Sequence, residues 1–131
     1  MAKTIDFLND EYGAVTIEFT ALFPFFLFLL IFFVDASMIY LTHSEMTNAA
    51  RDIVRRMSTD QFTTLTQVED YAETKLLLGS REYEIQVDFG AEQMVVISVP
   101  MGEAAIFGIF FQPILGNTLA VVSRQRREPL A

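Results

Sequence analysis

One stretch decides most of what this chain can fold into: "AVTIEFTALFPFFLFLLIFFVDASMIYL", residues 14–41. From Phe19 to Val34 there is no charged residue, a run of 16 positions. Seven of the thirteen Phe lie between Phe19 and Phe33. A helix needs about 20 largely apolar residues to cross a bilayer, and 14–41 supplies them. The reading is a single membrane helix with a carboxylate near each end, Glu18 and Asp35. At about 1.5 Å per residue these two stand roughly 25 Å apart, so both can approach the headgroup regions. An ionised group inside hydrocarbon is costly and is a functional candidate by default. Asp35 is assigned to the membrane boundary. Pro24 falls within the run. It removes one backbone bond and tends to kink a helix, which membrane helices tolerate.

A cleavable secretory signal fits poorly. Such a signal needs a basic start and an A-x-A-like site after its apolar core. Here "MAKTIDFLNDEYG" has one Lys against three acids, and "DAS" follows the core.

Beyond the run, the chain reads as a small mildly acidic domain. The 131 residues make one small folded unit the prior. The formal net charge of -8 argues against nucleic acid, whose binders carry a basic footprint. There are no cysteines, which excludes disulfides and thiolate metal sites. The single histidine, His43, reads as a solvated helix-surface residue just past the membrane. No two-His metal spacing, Gly-rich phosphate loop or catalytic constellation is present, so no enzyme activity and no cofactor are assigned. Glu82, Glu84 and Asp88 could bind a divalent cation, but no Gly-bearing ligand loop accompanies them. They read as a solvated strand face.

The periodicity gives an α+β fold. In "MIYLTHSEMTNAARDIVRRMST", residues 38–59, Ile39, Met46, Ala50, Ile53 and Met57 recur close to every 3.5 residues. The membrane helix therefore continues as an amphipathic one. "TQVEDYAETKLLLG" predicts a second short helix, capped by Thr66 with Glu69 completing a capping box and ended by Gly79. "EYEIQVDF" alternates apolar and acidic residues and predicts a half-buried strand. "MVVISV", ended by Pro100, is its return partner after a "GAEQ" turn. "TLAVVSRQRR" can form a third strand of a small antiparallel sheet, and its pairing could bring the basic end near the acidic strand. Residues 104–123 carry no charge and are long enough for a second span. Gly108, Gln112, Pro113, Gly116, Asn117 and Thr118 break both helix and apolarity. The expectation is a packed or surface-lying apolar loop at the membrane-proximal side, with Phe107, Phe110 and Phe111 on one helical turn that Gln112-Pro113 ends.

At "YGAVTIEF" the chain resembles the processing site of type IV pilin-like proteins: a short leader ending in Gly, then an apolar helix with Glu at its fifth residue. The forms "GAVTIEF" and "FPFFLFLLIFFVDAS", with "SRQRREP" near the end, resemble TadE/TadF-like pseudopilins (minor pilins) of the tight-adherence (Flp) pilus system. Whether TadE-type or TadF-type is left open. The resemblance implies a leader 1–13, cleavage between Gly13 and Ala14 by a prepilin peptidase, a membrane helix 14–41 and an extracytoplasmic domain 42–131. It implies that Glu18 pairs with the freed N-terminal amine of a neighbouring subunit. Implied partners are other pilins, the inner-membrane assembly platform and membrane lipid. The implied location is the bacterial inner membrane, single-pass, with the C-terminal domain periplasmic. Arg51, Arg55 and Arg56, lying past the helix, oppose that orientation by the positive-inside rule. The alternative is an unprocessed membrane-anchored accessory protein whose domain binds an envelope or secretion-system partner.

Overall fold

The computed structural model describes residues 11–76, 82–108 and 111–126. The fold is α+β, as the sequence predicts. A long helix α1 (Glu11–Ser58) is followed by α2 (Leu65–Lys75), β1 (Glu84–Asp88), β2 (Glu92–Pro100), two single-turn helices α3 (Met101–Ala104) and α4 (Gln112–Leu115), and β3 (Thr118–Arg126). The chain divides into two compact units, one ending at Phe33 and the other beginning at Val34.

The first unit is the N-terminal part of α1. Among its described side chains the large apolar ones are exposed on every side, from 38 % at Phe32 to 72 % at Ile17, with Leu29 and Ile31 less so. A helix that is apolar all round requires an apolar environment. Fully removing such a side chain from water is worth about 1.5–3 kcal/mol, and these gain the part of it that matches their exposure. Among the described residues this is the one helix long and apolar enough to cross a membrane.

The second unit has its own core. Met46, Ala50, Ile53 and Met57 of α1 are fully buried, so four of the five residues in the expected seam form the centre. Ile39, the fifth, is partly buried against it. Val68 and Ala72 of α2 and Val95, Ile97 and Val99 of β2 complete the cluster. Spacings of 3 and 4 put the α1 residues on one face, and the period of 2 puts the β2 residues on another. The sheet is antiparallel in the order β1-β2-β3. Ile85, Ile97 and Val121 share one row across it.

The end of α1 is closed by three bonds. The Asp60 N–H donates to Met57 O (3.0 Å) and the Gln61 N–H to Arg56 O (2.9 Å). Asp60 stands at φ 56°, the left-handed position that ends such a motif and that Asp tolerates better than most residues. From the sheet, buried Gln93 donates its Nε2 to the same Met57 carbonyl at 3.1 Å. Helix and central strand are thus joined by a polar bond inside an apolar core.

Three local expectations are corrected. The cap of α2 is Thr64, not Thr66, and its partner is Gln67, not Glu69. Gln67 Oε1 accepts the N–H of Thr63 (3.0 Å) and of Thr64 (3.3 Å). Both Thr64–Gln67 and Thr66–Glu69 satisfy the capping spacing, and the earlier pair wins. The helix ends at Lys75; the expected stop, Gly79, lies outside the described residues. The expected turn "GAEQ" gives up Glu92 and Gln93 to β2. In the apolar loop the helical turn is Gln112–Leu115, beginning where it was expected to end. Pro113 sits in its first turn, where a missing N–H costs nothing. Phe110 lies outside the described residues.

Candidate functional site

The residues singled out by the sequence fall mostly along α1. Gly13 and Ala14 lie within its first turn. Glu18 is exposed, between Ile17 at 72 % and Phe19 at 65 %. One carboxylate therefore projects from an otherwise apolar surface. Nearby, Thr20 Oγ1 donates to Thr16 O at 2.8 Å, so that hydroxyl is satisfied by its own helix. Pro24 is inside the helix and leaves the Thr20 carbonyl without its usual donor four residues on.

Asp35 belongs to the second unit and is fully buried. Its Oδ1 accepts the Phe107 N–H and its Oδ2 the Gly108 N–H, each at 2.9 Å. Successive N–H groups converging on one anion form a small backbone cradle. Gly108 makes it possible: its φ is +63°, where side chains are rarely found. The carboxylate is thereby compensated by the protein's own loop. The sequence could not show this partner, because it lies more than seventy residues away and is backbone. Only the pair Asp35 and Gly108 was visible, without a reason to join them.

The loop bonded to Asp35 closes on itself. The Met101 N–H donates to Asn117 O (2.8 Å), Gln112 to Gly108 O (3.2 Å) and Leu115 to Phe111 O (2.8 Å). The described residues of 104–123 are thus divided between α3, this loop, α4 and β3. Ile106, Phe107, Ile114 and Leu115 are exposed on it.

The charged residues of the domain are used in other ways. Arg56 lies 3.7 Å from Asp52 and stacks its guanidinium 4.4 Å from the Tyr71 ring. Tyr71 OH donates to Asp52, so this group joins α1 to α2. Arg51, Arg55 and His43 are exposed. On the acidic strand, Glu84 accepts from Gln86 Nε2 (3.0 Å) and Asp88 from the Gly90 N–H (2.9 Å), which shapes the turn. Glu103 accepts the Glu82 N–H at 2.8 Å. Among the described residues no group of three His, Cys, Asp or Glu is arranged to hold a metal. β2 separates β1 from β3, and Arg126 comes opposite Glu92 rather than beside the acidic strand. An open groove of about 760 Å³ lies between α2 and the sheet, lined by Glu69, Glu73, Glu82 and Glu84 around Leu76 and Tyr83.

A single long apolar helix leading into a small α+β domain defines a class: a protein with one helix of membrane-anchoring length and character. The family is more specific. Residues 13–55, about a third of the chain, match the model of the family described as TadE-like protein, so that over this helix the chain is similar to that family. The match contains Gly13, Glu18, Pro24 and Asp35 and ends three residues before α1 does. No curated protein and no solved structure matches the chain significantly.

Proposed function

We propose that this protein is a minor pilin or pseudopilin that assists assembly of a tight-adherence (Flp) type IV-like pilus. In this reading a prepilin peptidase cleaves between Gly13 and Ala14. Residues 14–41 anchor the protein in the bacterial inner membrane, and the domain 42–131 faces the periplasm. Lateral packing against other pilins on the assembly platform follows, with Glu18 pairing to the freed amine of a neighbour. One observation carries the reading: the TadE-like match begins at Gly13, and five residues on an exposed carboxylate stands on an apolar helix. An unpaired charge in hydrocarbon costs several kcal/mol, by order of magnitude, so a paired one fixes a single axial register. The arginines do not oppose the orientation strongly. The segment after the helix is long, about ninety residues, and long loops and domains translocate largely regardless of charge.

The test is the intact mass of the native protein from cells with an active prepilin peptidase. The reading expects a chain beginning at Ala14. A chain that still begins at Met1 would leave a membrane-anchored accessory protein in its place.

A further inference from the structure

We infer that the apolar residues 105–108 and 111–116 form a lipid-contact surface, seated at the bilayer interface by Asp35. The inference rests on the reading that the first unit of α1 lies in the membrane. Four observations carry it. The loop presents Ile106 (59 %), Phe107 (49 %), Ile114 (76 %) and Leu115 (52 %) to the outside. Apolar side chains concentrated in this way mark a contact with lipid or a partner. The loop is held in shape by its own backbone bonds, and Gly116, at φ +84°, turns the chain out of α4. It is tied through Phe107 and Gly108 to Asp35. Asp35 is the second residue of the domain unit, immediately after the last exposed phenylalanines of the apolar helix, Phe32 and Phe33.

Covalent continuity then decides which occupant the loop meets. If residues 14–33 cross the bilayer, they cover about 30 Å at 1.5 Å per residue, the thickness of its hydrocarbon core. Val34 and Asp35 stand where the chain leaves the hydrocarbon. Whatever Asp35 holds within hydrogen-bond distance is held at that level too. Lipid is the one partner present there in every state of the protein, assembled or not. The arrangement also gives the carboxylate a purpose. A loop whose apolar side chains dip toward the hydrocarbon brings its backbone N–H groups near a region poor in water, and Asp35 satisfies two of them.

The chain contains no Trp, so a single introduced Trp reports alone. The full chain carrying Ile114→Trp, reconstituted in phosphatidylcholine vesicles, should emit at shorter wavelength than the same residue in water. It should be quenched by lipids brominated near the headgroup and shielded from aqueous iodide. Arg55→Trp is the control. Arg55 is exposed and roughly 30 Å along α1 from Asp35, so it should show the reverse pattern. Ile106→Trp repeats the test should the first variant misfold by circular dichroism. Asp35→Ala should release the loop, with iodide access to Trp at 114 rising several-fold. Protein that stays in the vesicles after an alkaline wash, with iodide quenching and no bromolipid quenching at both 114 and 106, overturns the inference alone. Protein removed by the wash overturns the membrane anchor beneath it. Bromolipid quenching that Asp35→Ala leaves unchanged overturns the role of Asp35.

Discussion

Replacing Asp35 with Ala removes both acceptors from the Phe107 and Gly108 N–H groups. The two groups are not equivalent. The Gly108 bond is buried, and its N–H would be left without acceptor or water, at about 1–3 kcal/mol. The Phe107 bond is part-buried, so water can replace the carboxylate there and the cost is at the low end of the same range, about 1 kcal/mol. Removing a buried charge returns some desolvation energy. The two bonds sum to about 2–4 kcal/mol, and the returned desolvation energy lowers the expected net loss to about 1–3 kcal/mol, concentrated in the loop rather than spread over the core, whose cluster does not include Asp35. Amide hydrogen exchange in detergent micelles is the appropriate assay, because it reads local opening. At about 1.4 kcal/mol per tenfold, Gly108 should exchange on the order of 5- to 150-fold faster. The amides of Ile53 and Ile97 should change far less. Asp35→Asn should fall between, since its amide turns a donor toward one of the two N–H groups. If Gly108 exchanged at the native rate in Asp35→Ala, the carboxylate would not be the acceptor that holds this loop.

The other outcomes are these. Glu18→Ala should leave membrane insertion intact or improved and should reduce pilus output; wild-type output would remove the pairing role. Gly13→Val should block processing, seen as retention of the leader by mass spectrometry, because a peptidase pocket for Gly has little room for a branched side chain. Ile53→Ala should cost the domain about 2–5 kcal/mol in urea unfolding, since Ile53 is fully buried at the centre of the core; a loss under 1 kcal/mol would mean that the seam of α1 does not bear the packing. A reporter fused after Ala131 should be active only in its exported form, and activity confined to the cytosol would favour the arginines over the processing site.

What could be read from the sequence was what repeats locally. The seam Met46, Ala50, Ile53 and Met57 has a helical period, and Ile85 and Val87 alternate with Glu84, Gln86 and Asp88, so both elements and their inward faces were legible. Strand order was not. β3 lies beside β2 because Ile97 sits opposite Val121 and Val99 opposite Leu119, and no local pattern encodes that choice. The cap of α2 failed through degeneracy, because "TTLTQVE" offers two capping pairs at the same spacing. The single turn of α3 was missed altogether, although Pro100 before it and Glu103 within it are ordinary helix-start signals. Four residues are too few to produce a period.

Glu18 and Asp35, both on α1, illustrate why a residue type alone does not assign a role. Asp35 has its compensation inside the molecule, supplied by a backbone cradle that a glycine in the left-handed region opens. It needs no partner subunit, and its burial ties a distant loop to the point where the domain begins. The Glu18 side chain makes no hydrogen bond or ion pair among the described residues and stands exposed among side chains that require lipid or protein around them. In water that is unremarkable, but in hydrocarbon it is a debt that only another charge or a proton can settle. A neutral Gln in place of Glu18 separates these possibilities. If protonation is enough, Glu18→Gln should assemble as the native protein does. If a neighbour's amine is the partner, Glu18→Gln should fail nearly as badly as Glu18→Ala, since it keeps the shape and loses the charge. Pilus output from the two variants, measured at equal membrane levels of the protein, distinguishes the cases, and equal output from Gln and native strains would end the case for an ion pair.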